Sequence, residues 1–238
     1  MMPARSRQTD ISVEKNAAFF RDNISAYSNQ VGVLDTYRNI QGFTNEALGG
    51  IDRLLDIGNG GTFDYDVTLI REIVAVDLFL QELPPQSFPR NVTPRNGSAL
   101  AIPEPDKSFD GVLMSMLIHH LVGKSVEESL ANVSQGISEA FRVLGRGGKL
   151  VIVESCVPRW FYSMERFVFP VATRLIGRFM NHPATLQFPP SLILDMLRRF
   201  SSDVKITPIP RGRWILQYGK KFPCALTPAA PYLFVLRK

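Results

Sequence analysis

Between Arg53 and Leu150 the chain alternates short apolar runs with polar breaks rich in glycine or proline. Leu54-Leu55 closes a first buried strand, and Ile73-Val-Ala-Val76 forms a second. Val92 to Arg95 makes a weak third, because Pro94 cannot donate to a sheet ladder. Val112 to Ser115 is the fourth strand and Lys149 to Glu154 the fifth. These runs lack a strict apolar–polar alternation, which predicts strands covered on both faces. The segments between them have to supply the cover. Phe63 to Arg71 reads as a short helix with Asp64 and Asp66 in its first turn. Leu83 to Arg90 carries three prolines and reads as loop. Val126, Leu130, Val133, Ile137, Phe141 and Leu144 share one helical face, opened by the capping box Ser125-x-x-Glu128. Strand–helix alternation of this kind predicts an α/β fold with a mostly parallel sheet.

The flanks extend this core. Residues 12 to 48 read as two helices. Ser12 caps the first, whose stripe is Val13, Ala17, Phe20 and Ile24; the second runs from Val33 to Leu48 and stops at Gly49-Gly50. Tyr27 and Tyr37 lie at the edge of that core or reach a ligand. Residues 157 to 200 bring an aromatic stretch from Trp160 to Phe179, with Arg166, Arg174 and Arg178 on one line and Pro170 as a kink. Three readings stay open for it: a lid over a lipophilic acceptor, a homodimer interface, or a helix on a membrane surface. Ser191 to Phe200 reads as a further helix, Val204 to Thr207 as a sixth strand and Tyr232 to Leu236 as a seventh. A basic loop from Arg211 to Pro231 joins the last two. All 238 residues then form one domain: a helical cap (12–50), a core (51–155), a helical insert (157–200) and a C-terminal strand pair (201–238).

Composition narrows the partners. Hydrophobic content of 45% and charged content of 21% suit a globular protein in water. The net charge is +5, but the basic residues come singly or in pairs such as Arg198-Arg199 and Lys220-Lys221. That is a solvated basic surface, and no nucleic-acid partner is expected. Cys156 and Cys224 are too few for a disulfide framework. With no leader-like apolar stretch and no membrane span, a cytoplasmic location is expected. The three histidines and two cysteines show no metal-ligand spacing, so no metal is expected.

The chemistry begins at Asp56-Ile-Gly-Asn-Gly-Gly61, directly after the first strand. A strand entering a glycine-rich turn is a nucleoside-binding corner. A dinucleotide site wants a third glycine at position 63, which is Phe63, and Asp56 would repel a diphosphate. Asp56 suits a ligand with an ammonium group instead. Asp77, 19 residues after Gly58, ends the second strand and can accept from both hydroxyls of a ribose. S-adenosyl-L-methionine has both features. His119 and His120 follow the fourth strand, where an acceptor would sit; an ordinary imidazole titrates near 6.5 and can serve as a base. His120 is the preferred base. The bland alternative has one ring packing on the sheet and the other bonding the backbone. His182 has no place in this scheme.

Residues 53 to 155 resemble the core of a class I S-adenosylmethionine-dependent methyltransferase of the small-molecule kind, similar to the quinone-biosynthesis C-methyltransferases. The resemblance rests on Leu54-Leu-Asp-Ile-Gly-Asn-Gly-Gly61, Val74-Ala-Val-Asp77, Gly97-Ser-Ala with Ile102-Pro and Phe109-Asp110, and Ala140-Phe-Arg-Val-Leu-Gly-Arg-Gly-Gly-Lys-Leu150. It implies a Rossmann-like seven-stranded sheet with helices on both faces and an antiparallel last strand. It implies that Asp56, Gly58, Asn59 and Gly60 hold the methionine end of the cofactor and that Asp77 holds the ribose. Leu78 would flank the adenine, Ser98 and Ala99 would line its rim, and Met114 would lie beneath the sulfonium. The implied reaction is O- or C-methylation of a small apolar or aromatic acceptor. Thr62 replaces an expected glycine and Ser98 an expected acid. These departures keep open a non-catalytic binding role on the same fold. A nucleic-acid methyltransferase is the remaining alternative, but Met114-Ser-Met-Leu stands where its Asn-Pro-Pro-aromatic motif would be.

Overall fold

The computed structural model describes residues 34–179, 185–217 and 220–238. The expected first helix, with its cap Ser12 and its stripe from Val13 to Ile24, lies outside them, as do Tyr27 and His182. Seven strands form one sheet: β1 (Arg53–Ile57), β2 (Glu72–Asp77), β3 (Val92–Asn96), β4 (Phe109–Ser115), β5 (Leu144–Cys156), β6 (Val204–Pro208) and β9 (Ala230–Arg237). Their order is β3-β2-β1-β4-β5-β9-β6. The pairs among β1 to β5 are parallel, whereas β9 runs antiparallel to both β5 and β6. This is the expected Rossmann-like sheet with its antiparallel last strand. The order reverses between β1 and β4, which opens a crevice at their carboxyl ends. Pro94 is tolerated because β3 is an edge strand.

Helices cover both faces. Helix α1 (Asp35–Leu48) lies on one side, with Ile40 and Leu48 packed in the same layer as Leu54, Ile73, Leu113 and Val151. Helices α2 (Val126–Val143) and α4 (Pro190–Leu197) lie on the other, over Leu55, Val112 and Ile152. Helix α3 (Arg159–Phe179) follows β5. Two lysines close helix ends from a distance. Lys149 donates from Nζ to the carbonyls of Ala47 and Gly49 after α1, and Lys238 to those of Phe141 and Leu144 at the end of α2. Ammonium groups there satisfy carbonyls that the helix leaves open.

Three expectations are corrected. The segment 63–71 is not a helix but a single 3-10 turn at Val67–Leu69, capped by Asp66, whose carboxylate accepts from the Thr68 amide. Its apolar residues, Tyr65 and Ile70, are needed in the core at a spacing that no helical turn here would keep. The capping box at Ser125 is half formed. Ser125 Oγ accepts from the Glu128 amide, but Glu128 reaches back to the Lys124 amide instead of that of Ser125. The basic loop from Arg211 to Pro231 contains a hairpin, β7 (Trp214–Gln217) with β8 (Lys220–Pro223). It is latched to α1: Asp35 accepts two bonds from the Arg213 amide, and Thr36 Oγ1 donates to the Trp214 carbonyl. The Arg213 amide holds the Asp35 carboxyl below its usual range.

Candidate active site

The glycine turn sits where β1 ends. Gly58, Gly60 and Gly61 all have positive φ, so the turn uses the left-handed region three times within four residues. Gly58 has a second reason to lack a side chain: a Cβ there would come within 2.5 Å of Leu117 Cδ1. Gly58→Ala is expected to cost about 2–4 kcal/mol of stability, from strained backbone plus overpacking, and to weaken binding of any ligand in the turn. A denaturant melt alongside a ligand titration checks both.

Asp56 is buried. Its Oδ2 accepts from Asn59 Nδ2 at 2.7 Å and from the Tyr65 hydroxyl at 3.0 Å. Its Oδ1 is buried and has no hydrogen-bond partner among the described residues. Burial pushes this carboxyl up to about 7; the bonds from Asn59 and Tyr65 oppose the rise, and Asp64 and Asp77 add to it. Asp77, at the end of the adjoining β2, accepts from the Gly60 amide at 2.9 Å through one oxygen and from its neighbour Leu78 at 2.6 Å through the other. Burial raises this carboxyl too, against those two amide bonds. Two desolvated carboxyls therefore flank one glycine turn, and one of them keeps an open buried acceptor. The donor set fits S-adenosylmethionine: Asp56 Oδ1 would take an ammonium, and the remaining lone pairs of Asp77 would take ribose hydroxyls.

The other expected contacts fall in two groups. Leu78, Ser98 and Ala99 are half-buried near the ends of β2 and β3. Ser98 Oγ is partly used, accepting from the Leu100 amide. Thr62 bonds within the turn: its amide and hydroxyl both donate to the Asn59 carbonyl. Met114 stands on β4, paired with Ile57 at the end of β1. It is fully buried among the residues beneath α2, with its methyl 3.7 Å from where a Gly136 Cβ would lie.

Beyond β4 the chain turns through Met116, a non-glycine residue at φ 51°, into a 3-10 turn at Ile118–His120. Such backbone persists only where its surroundings hold it, and such positions gather at functional sites. The Met116 amide donates to the Val153 carbonyl, which anchors this turn to β5. His119 and His120 lie side by side, with ring centroids 4.1 Å apart. His119 Nδ1 is 2.6 Å from Glu154 Oε1, and Glu154 is completely buried at the end of β5. Glu154 also accepts from the Ser155 and His119 amides. Segment 185–189 lies over this pair, the Leu186 amide donating to the His119 carbonyl. Glu154 and Tyr65 are the residues that the sequence reading did not single out. A lone acid closing the apolar run Leu150–Val153 was the available signal for Glu154.

Fold and site together resemble the core of the class I S-adenosylmethionine-dependent methyltransferases. The chain is similar to the quinone-biosynthesis C-methyltransferases, and residues 55–152, under half of the chain, match the methyltransferase domain family. It is 28% identical over 158 residues to the ubiquinone/menaquinone biosynthesis C-methyltransferase of Geobacter sulfurreducens, covering 60% of this chain and 58% of that one. It is 29% identical over 168 residues to the demethylmenaquinone methyltransferase of Deinococcus radiodurans, covering 61% and 66%. The chain thus spans little more than half the length of the first of these relatives. In fold it is similar to the 1,6-didemethyltoxoflavin-N1-methyltransferase of Burkholderia thailandensis, solved with S-adenosylhomocysteine, at 15% identity and a TM-score of 0.61 over 100% of this chain and 93% of that one.

Proposed function

We propose that the protein transfers a methyl group from S-adenosylmethionine to a small apolar, aromatic acceptor of the hydroquinone or phenol type. The observation that carries this reading is the open, buried Asp56 Oδ1 beside a three-glycine turn whose other side is Asp77. When bound, S-adenosylmethionine supplies an electrophilic methyl group on a sulfonium. Asp56 orients the ammonium end and Asp77 the ribose, so that the glycine turn fixes the ligand's position along the crevice.

His119 serves as the general base, in place of the His120 expected from sequence. Glu154 accepts the Nδ1 proton of the neutral ring, which leaves the lone pair on Nε2. The arrangement repeats the base-plus-orienting-carboxylate logic of catalytic histidines. Removing a hydroxyl proton from a phenolic ring raises electron density on its oxygen and on the ring carbons beside it. One base therefore serves either O- or C-methylation. The relatives named for quinone C-methylation favour carbon.

The test is incubation of the protein with S-adenosylmethionine and a panel of demethylated quinols and simple phenols, followed by mass spectrometry. A product heavier by one methylene supports the reading, and its fragmentation tells carbon from oxygen. Cofactor binding without turnover on any member of the panel favours the non-catalytic binding role.

A further inference from the structure

Helix α3 carries an apolar stripe that no element among the described residues covers. Trp160, Met164, Phe167 and Val168 recur at helical spacing on one face, and all are exposed, Trp160 at 64% and Phe167 at 87%. The opposite face is the one that packs. Phe169 is buried in the core, Tyr162 stacks toward Phe188 with ring centroids 6.0 Å apart, and Glu165 accepts from the Gln187 amide. The helix is therefore fixed to the body, and its apolar stripe points outward.

The β7–β8 hairpin borders this stripe. Phe161 packs with Ile215, Cys224 and Ala229, and the Trp160 ring meets Phe161 edge-on at 5.6 Å. Phe222 pairs directly with Ile215 across the hairpin and so shares that face, 37% exposed. Exposed Arg213, Lys220 and Lys221 stand on the same hairpin, and Arg159 and Arg166 flank the stripe on the helix. Single exposed apolar residues need no explanation, but four of them on one face of one helix, beside a basic hairpin, do.

We propose that the outer face of α3 and the adjoining hairpin form a docking surface for an anionic lipid bilayer. Aromatic and aliphatic side chains would enter the headgroup boundary while the lysines and arginines meet lipid phosphates. Charge decides between the occupants. A twofold interface would set each protomer's basic hairpin in the same patch as its partner's, like charge near like. An anionic surface complements it, and the chain as a whole carries +5. A lid would need its apolar stripe turned inward. Docking does not depend on the proposed reaction, because vesicle binding reads it without turnover.

The experiment is flotation of the full chain with phosphatidylcholine vesicles, with and without phosphatidylglycerol. Binding is expected only to the anionic vesicles, falling as salt rises. F167D is expected to lower it at least about tenfold, and the pair K220E/K221E about as much. Phe167 is nearly all exposed, so F167D should melt like the parent chain and keep its affinity for S-adenosylmethionine. In a W214F background Trp160 is the sole tryptophan, and its emission is expected to shift to the blue on anionic vesicles. Failure of the parent chain to float with anionic vesicles overturns docking. So does undiminished flotation of F167D. Concentration-dependent dimers that F167D abolishes, without vesicle binding, would assign the face to a second copy instead.

Discussion

His119→Gln is expected to lower the methyl-transfer rate by about 10² to 10⁴ and to leave affinity for S-adenosylmethionine almost unchanged. Glutamine keeps much of the ring's size and can still donate toward Glu154, but it offers no nitrogen lone pair to take a proton. A base that takes the acceptor's proton makes the parent and His119→Gln enzymes differ in their pH–rate profiles. Glu154→Gln gives a second reading of the same pair. Its amide can no longer accept as a carboxylate from Nδ1, so the ring loses its fixed tautomer and the rate falls while KM for the acceptor changes little. Single-turnover kinetics across pH on the three proteins checks this. A His119→Gln enzyme with a parent-like rate and pH profile would make the pair structural. His120→Gln serves as the comparison, with a small effect expected.

Asp56→Asn stabilises the ligand-free protein at neutral and alkaline pH while weakening the ligand. The Asp56 carboxyl stands at about 7 in the folded chain against 3.8 for an ordinary aspartate. On raising the pH the unfolded chain gives up this proton first, and the folded chain holds it until near 7. Stability is therefore lost across that window and stays low above it. The difference corresponds to roughly 4 kcal/mol when the whole shift is counted. Asparagine keeps an acceptor for Asn59 and Tyr65 and carries no charge, so its melting curve should lose this slope. The same change removes the partner of an ammonium group, which is expected to weaken S-adenosylmethionine by about ten- to a hundredfold. Thermal melts from about pH 4 to pH 8 and one titration separate the two effects. A parent-like pH slope in Asp56→Asn would show that this carboxyl is not the source.

The sheet was legible because its central strands are apolar on both faces, a pattern only a covered parallel sheet produces. The glycine turn and its two acids were legible because backbone with positive φ and strand-end carboxylates leave residue-type marks. What stayed hidden was long-range. Nothing local says that Glu154 meets His119, because 35 residues separate them and the contact exists only once β4 and β5 pair in register. For the same reason nothing in the sequence says which of His119 and His120 meets a carboxylate. Tyr65 was hidden by the expectation of a helix at 63–71; as a turn, the segment can aim its hydroxyl back at Asp56. The β7–β8 hairpin was hidden because its basic residues mask a short alternation, and its fixing points are Asp35 and Thr36, at the far end of the chain.

The central claim is that the turn at Asp56–Gly61 and the acid Asp77 hold S-adenosylmethionine, and calorimetric titration of the parent chain and Asp77→Ala tests it most directly. Asp77 accepts from backbone amides through both oxygens and still has lone pairs for two ribose hydroxyls. Charge-assisted bonds of that kind are worth roughly 1.5–3 kcal/mol each. The parent chain is expected to bind S-adenosylmethionine, and Asp77→Ala to bind it at least about tenfold more weakly while remaining folded by circular dichroism. A parent chain that does not bind, or an Asp77→Ala variant that binds as tightly as the parent, would contradict the account.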